Sequence, residues 1–521
     1  YPADTTFIVY FFECWNSDNW DPLSFGQDYD FSRPFFEQFG DFLKKVPRPS
    51  LEGSQNINCP FTNYTWESKN CYLSPSTMYC ENVAYSKSME KSKDCYDCFQ
   101  VIGSQLCYEC MNCERCNNSN FLMDSHDCID SSFLFDCRNC ISCFMSSNLR
   151  NKSFVIENVQ YSKEEYLERV KAYKLPTHAG LESAKKRFWE IAENAIHKFA
   201  RVHHIVNSTG DNIYNAKNCK ACFEIHDIQN LRYVVRGFNV KDSMDLYGTD
   251  DEDLTYENIN SGLYSSLIKF CADSHTSCID TRFCSYVRSS SNLFACISLR
   301  NKKFCVFNKQ YPENEYNKLV SKIVEHMDEM PYVDSKNRVF KYGEFFPPEI
   351  SPFGYNETAA REYFPRLKHQ ILAEGFKWRE SEEKKYAVTM SPERVPEIAT
   401  VEKSVLEEVI GCEHENRCDH QCSYAFRLIP DELQFYQKMQ LPIPHLCPNC
   451  RHYERLVHKN PITLWPRKCQ CAAEKSENGI YKNAVTHSHG KDPCPNVFQT
   501  SYAPDCPEIV YCEQCYNAEV V

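Results

Sequence analysis

Four cysteines towards the C-terminus have the types and the spacing to hold a metal ion. Cys418 and Cys422 form one pair, Cys447 and Cys450 a second, and the excursion SYAFRLIPDELQFYQKMQLPIPHL separates them. Tetrahedral Zn2+ suits such pairs because four thiolates at about 2.3 Å neutralise and enclose it. Cys412 is an alternative to Cys418. A second cluster follows, with Cys469, Cys471, Cys494, Cys506, Cys512 and Cys515 beside His487 and His489. Here Cys512 and Cys515 form the pair, and Cys469 or Cys471 with Cys494 would complete the set. The expectation is one or two structural zinc ions. Four thiolates leave no position for water, so the metal would stabilise the fold and not activate a nucleophile.

Between the two clusters, RHYERLVHK places Arg451, Arg455 and Lys459 on one face of a helix. Arg467 and Lys468 add charge, and Trp465 offers a ring on which a base could stack. This patch is the expected contact for a protein partner, RNA or single-stranded nucleic acid. The alternative is a basic face that docks on the acidic remainder of the chain.

Other chemistry is weaker. Cys107, Cys110, Cys113 and Cys116 approach a ferredoxin pattern, the alternative reading being an iron–sulfur redox protein. The last gap is one residue short, however, and Asn117 stands where that pattern has proline. KDCYDC (93–98) also returns as KDSMDL (241–246), with Ser243 and Leu246 in place of cysteine. Ligands do not exchange so freely, which favours small-residue packing. Cys219 and Cys222 are a candidate knuckle for zinc in the same region. Asp245, Asp250 and Asp253 are the candidate acids for a polysaccharide hydrolase or lyase, and Asp28 and Asp30 carry less. Nucleophile elbow, phosphate loop and metalloprotease motifs are absent from the sequence.

The elements that must position these residues are repeats. Cys59 and Cys80, Cys95, Cys116 and Cys137, and Cys107 and Cys128 recur at intervals of 21. That interval predicts a β-solenoid whose coil is 21 residues, with cysteines stacked in an interior ladder. SNLRNKSFVIENVQYSKEEYLERV (147–170) returns as ISLRNKKFCVFNKQYPENEYNKLV (297–320), so the solenoid has two halves. Each half ends in a helix, the first opened by a Ser162/Glu165 capping box and the second by Pro312. Leu181, Ala184, Phe188, Ile191, Ala195 and Phe199 predict an amphipathic helix between them. Phe35, Phe39 and Phe42 predict another near the start.

The C-terminal residues resemble a family of probable zinc-ribbon, treble-clef-like domains. The matching positions are Cys418 and Cys422, Phe426, Glu432 with Phe435 and Tyr436, and Pro444 with Cys447, Pro448, Cys450 and Arg451. The first pair is one residue wider than is usual there. The whole chain looks like large uncharacterised proteins that join this ribbon to a cysteine-rich repeat, and the resemblance implies zinc but no activity. YPADTTFIVYFFECW (1–15) also aligns with YAPDCPEIVYCEQCY (502–516), so the chain opens within a partial copy of the C-terminal module in which Phe11 replaces Cys512.

The fold expected is mainly β: a parallel β-solenoid in two halves with helical inserts, then a zinc-ribbon module. The divisions are a module remnant and short helix (1–50), the first half (51–161), a helical insert (162–206), the second half (207–311), helices and linker (312–405) and the ribbon module (406–521). A net charge of −13 argues against wrapping DNA over the whole surface. No apolar run is long enough to span a membrane. The 32 cysteines cluster as thiolate pairs, which suits a reducing, cytoplasmic compartment.

Overall fold

A computed structural model describes residues 1–2, 4–274, 276–380, 386–471 and 483–521. Its repeating unit is three residues. Cys95, Cys98, Val101, Ser104, Cys107, Cys110, Cys113 and Cys116 are all buried, each three after the last. The residue before each of them has a left-handed backbone, as at Asp94 (φ 53°), Asp97 (φ 55°), Asn112 (φ 51°) and Arg115 (φ 52°). Every triplet therefore turns a corner and points one side chain at the axis. Left-handed backbone strains most L-residues and is least costly for Asn and Asp. These two types fill many corners and bond one another between coils: Asn58 donates to Asn70, Asn70 to Asn82, and Asn82 to Asp94, each twelve residues apart.

Twelve residues is the length of the coil. Parallel pairing sets Thr65 against Thr77, Cys95 against Cys107, and Leu122 against Leu134. The expected 21-residue coil is thus corrected. Because 21 is a multiple of three, cysteines at that interval share the inward phase but lie on different sides of a four-sided coil. Stacked columns run at intervals of twelve instead. In one, the backbone N–H of Cys80 donates to Ser68 Oγ (3.1 Å), that of Ser92 to Cys80 Sγ (3.4 Å), and that of Cys116 to Ser104 Oγ (3.0 Å). Serine and cysteine alternate freely because each is small and offers one polar atom to the coil above.

The first half runs from Gly53–Ser54 to Ser153–Ile156, and the second from Val202–Val206 to Lys303–Val306. Each ends in a short antiparallel strand, Val159–Gln160 or Lys309–Gln310, which closes the sheet edge. Helices Lys163–Lys171, with the Ser162/Glu165 capping box, and Glu313–Glu329 follow them. Phe35–Lys45 forms the early helix, burying Phe35, Phe39 and Phe42. The central helix His178–Glu193 buries Leu181, Ala184 and Phe188. It stops short of the predicted Ala195 and Phe199, because Ile196–Lys198 becomes a strand that pairs with Ile509–Tyr511.

The two halves lie side by side and run in opposite directions. First coils of one meet last coils of the other, through Glu52 with Arg288 and Tyr64 with Asp273. At the far end Arg201, which opens the second half, bridges Asp124 of the first (2.7 Å) and Asp211 (2.6 Å). Among the described residues no helix is long and apolar enough to cross a membrane.

The segment 1–15 is built and docked like the C-terminal segment 502–516 with which it aligns. Strand Val9–Tyr10 pairs in parallel with Arg48–Pro49, just ahead of the first half, as Ile509–Tyr511 pairs just ahead of the second. Trp15 donates to Ser298 (3.2 Å) under the Arg300 guanidinium, while its counterpart Tyr516 meets Arg150 (2.6 Å) on the first half. Cys14, the counterpart of Cys515, is exposed.

Candidate metal centres

The C-terminal region contains two modules of one design. In the first, Ile410–Gly411 pairs antiparallel with Ala425–Phe426, and helix Pro448–Leu456 begins inside the Cys447/Cys450 pair. In the second, Trp465–Lys468 pairs with Val497–Thr500, and helix Glu513–Val520 begins inside the Cys512/Cys515 pair. A hairpin and a helix N-terminus thereby converge, and the helix dipole favours thiolate there.

Cys412, Cys422, Cys447 and Cys450 come together in the first module, their sulfurs all within 4.8 Å of one another. Cys412 stands 3.8 Å from Cys450, and Cys422 stands 4.0 Å from Cys447. Four thiolates bound to one tetrahedral ion at about 2.3 Å lie about 3.8 Å apart, so the spacing fits a metal. It is far too long for disulfides, and all these cysteines are free. Hydrogen bonds from Cys412 and Cys450 draw the Cys447 thiol below its ordinary value. Cys418, expected in this set, lies outside it and joins His414, His420 and Cys450 in a second group. The alternation Cys412-x-His414 and Cys418-x-His420 was the signal in the sequence for these histidines.

In the second module Cys469, Cys471, Cys494 and Cys515 converge, and Cys512 stands 3.9 Å from Cys494. His487 and His489 form a group with Cys471 and Cys515. Cys506 belongs to neither; it accepts from Arg467 (3.1 Å). A further group is His178, Glu413 and His445, of which the two histidines line a cavity of about 1000 Å3. Its imidazoles stack face to face at 3.6 Å, so their in-plane lone pairs run side by side and do not meet at one ion.

The basic face is turned inward. Arg451 and Arg455 are buried, and both reach Asp97 of the first solenoid half, at 3.2 and 3.1 Å. Arg451 also pairs with Glu432 (3.3 Å), which accepts from Tyr85 (2.9 Å) and Tyr436 (2.8 Å). Phe435 stacks on Tyr96 at 4.2 Å. Lys459, past the end of the helix, pairs with Glu224 of the second half (2.5 Å). These side chains hold the first module across both halves and present no face to nucleic acid. A basic helix looks the same in sequence whether its counter-ions are phosphates or carboxylates from distant parts of the chain. Arg467 is half-buried against Ala503 and Gln470, Trp465 is half-buried, and Lys468 is exposed.

The remaining sequence candidates fall within the repeat. Cys107, Cys110, Cys113 and Cys116 are the four inward positions of one coil, and each thiol donates to a carbonyl two residues earlier. Cys219 and Cys222 are two further inward positions, packed with Ile213, Ile225 and Leu231. None of the metal groups among the described residues draws on them. Asp245, Asp250 and Asp253 fall on different sides of the coil. Burial pushes the Asp250 carboxyl up to about 6, while Asp253 is exposed. Asp28 is exposed and pairs with Lys309 (2.6 Å), and Asp30 binds Ser32 in its own turn.

No family model matches the chain, and no curated protein matches it. Among solved structures, a Desulfovibrio desulfuricans G20 protein described as an acetyltransferase aligns with 43% of this chain at 10% identity and a TM-score of 0.11. The alignment spans 63% of that protein's length.

Proposed function

We propose that the chain is a zinc-stabilised binding scaffold in which zinc-ribbon modules clamp two antiparallel solenoids into one surface. The observation that carries this reading is the closed donor set of Cys412, Cys422, Cys447 and Cys450, sulfur on every side at tetrahedral spacing. Such a site has no position free for substrate or water. A protein partner is favoured over nucleic acid. The net charge is −13, and Arg451, Arg455 and Lys459 are committed to internal carboxylates.

Cobalt substitution tests the proposal. Thiolate-bound Co2+ should show an absorption spectrum that is indifferent to added azide, since a closed site accepts no further ligand. A spectrum that shifts with azide would mean an open coordination position, and the scaffold reading would give way to catalysis. Iron and labile sulfide in the purified protein would overturn it from the other side.

A further inference from the structure

Each C-terminal module brings together more donors than one ion can take. In the first, Cys412, Cys422, Cys447 and Cys450 form one group, and His414, Cys418, His420 and Cys450 form another. Cys450 belongs to both. Its sulfur lies 3.8 Å from Cys412 on one side and 3.7 Å from Cys418 on the other.

We infer that each module holds two zinc ions bridged by one thiolate, Cys450 in the first module and Cys515 in the second. The inference deepens the zinc-scaffold reading and rests on it. The imidazoles supply an independent observation. Nδ1 of His414 and Nδ1 of His420 are both buried and lack any hydrogen-bond partner. Buried polar nitrogens are costly to leave unpaired, and a second ion would satisfy both. The other nitrogen of His414 faces Glu454 (3.3 Å), the carboxylate–histidine arrangement that orients metal ligands.

The second module repeats the arrangement position by position. Cys469 and Cys471 stand where Cys412 and His414 stand, two residues apart and directly after a hairpin strand. His487 and His489 stand where Cys418 and His420 stand, and Cys494 matches Cys422, each three residues before the return strand. The backbone N–H of Cys447 donates to Cys412 Sγ at 3.2 Å, and that of Cys512 donates to Cys469 Sγ at 3.2 Å. The group Cys471, His487, His489 and Cys515 is then the counterpart of His414, Cys418, His420 and Cys450. Cys471 and Cys515 both also approach Cys469 and Cys494, but Cys471 holds the place of His414, and Cys512, 3.9 Å from Cys494, holds that of Cys447 and completes the other set. Glu519, four residues after the shared cysteine as Glu454 is, accepts from His487 (2.8 Å). His489 Nε2 lies 3.2 Å from Cys471 Sγ and 3.5 Å from Cys515 Sγ, close to the about 3.5 Å that two ligands of one tetrahedral zinc keep.

Between the modules a histidine and a cysteine have changed places, His414 for Cys471 and Cys418 for His487. The exchange leaves each module with five cysteines and two histidines. Unconstrained residues would not compensate in this way. Two Zn2+ ions sharing one thiolate use all seven donors, whereas one ion would take four and leave three without a role.

The test is metal stoichiometry on the full chain. Purified protein saturated with zinc and freed of excess should carry four ions, and His414→Ala with His420→Ala should lower the count to three while the circular dichroism stays that of the parent. His487→Ala with His489→Ala should do the same independently. In case the variants fold poorly, 113Cd NMR of the unaltered protein gives a second readout, because a shared thiolate couples the two cadmium nuclei of a module. Two ions per chain, unchanged in both variants, with uncoupled cadmium signals, would overturn the bridged pairs and leave the scaffold reading intact. A chain that carries no zinc would overturn both.

Discussion

At the scale of single residues, interior thiols and module thiols look alike in sequence and do different work. Cys116 sits in a column with Ser92 and Ser104, where the hydroxyl makes the same bonds as the thiol. Cys116→Ser should therefore change unfolding free energy by less than about 1 kcal/mol in a urea titration. An iron–sulfur centre at that coil would instead be lost outright. Asp97 is the opposite case. It is fully buried and is shared by Arg451 and Arg455, so Asp97→Ala leaves two guanidiniums short of a counter-charge. The expected cost is about 3–5 kcal/mol. A triple substitution that also replaces both arginines with apolar residues should recover part of it. Glu432, Phe435, Tyr436 and Arg451 stood out in the sequence as family-like positions, and their contacts explain them as the docking surface for the solenoid.

Among the elements, the coil length is the clearest case of partial legibility. The inward cysteines were visible and the solenoid followed from them. The period was not, because a spacing of three makes every multiple of three look like a repeat, and it is the corner ladders, such as Asn58, Asn70, Asn82, Asp94 and Asn218, Asn230, Asp242, that single out twelve. Tertiary pairing is equally silent in sequence: nothing near Ala195 announces that the helix must yield to a strand for Ile509–Tyr511. In the second half an inward position holds an acid, Glu252, which accepts from Thr249 (2.6 Å) and is raised by burial to about 7. A folded-state pKa above the unfolded value means that the native chain holds the extra proton between about 4.5 and about 7. Stability at this site is thus greatest in acid and falls as pH rises through that window, by at most about 3 kcal/mol. Glu252→Gln should raise the midpoint of thermal unfolding at pH 8 and leave it nearly unchanged at pH 4.5.

For the molecule as a whole, the modules and the solenoids have separable sources of order. The solenoid is held by coil-to-coil bonds that need no metal, whereas under the proposed reading the modules are held by zinc. Chelation should therefore speed hydrogen exchange in 410–456 and 483–520 while amides of the central coils, such as those of 95–116, stay protected. If protection collapses everywhere at once, the modules are the keystone of a single cooperative unit.

The antiparallel arrangement also constrains how such a chain can change length. Removing one twelve-residue coil from the first half would slide everything beyond it by about 4.8 Å against its neighbour. Glu52 could still meet Arg288, but Asp124 would no longer face Arg201. The two halves act as a pair of rulers laid head to tail, and a notch cut from one must be cut from the other. Insertions and deletions in proteins of this build should come in matched pairs, opposite each other across the seam.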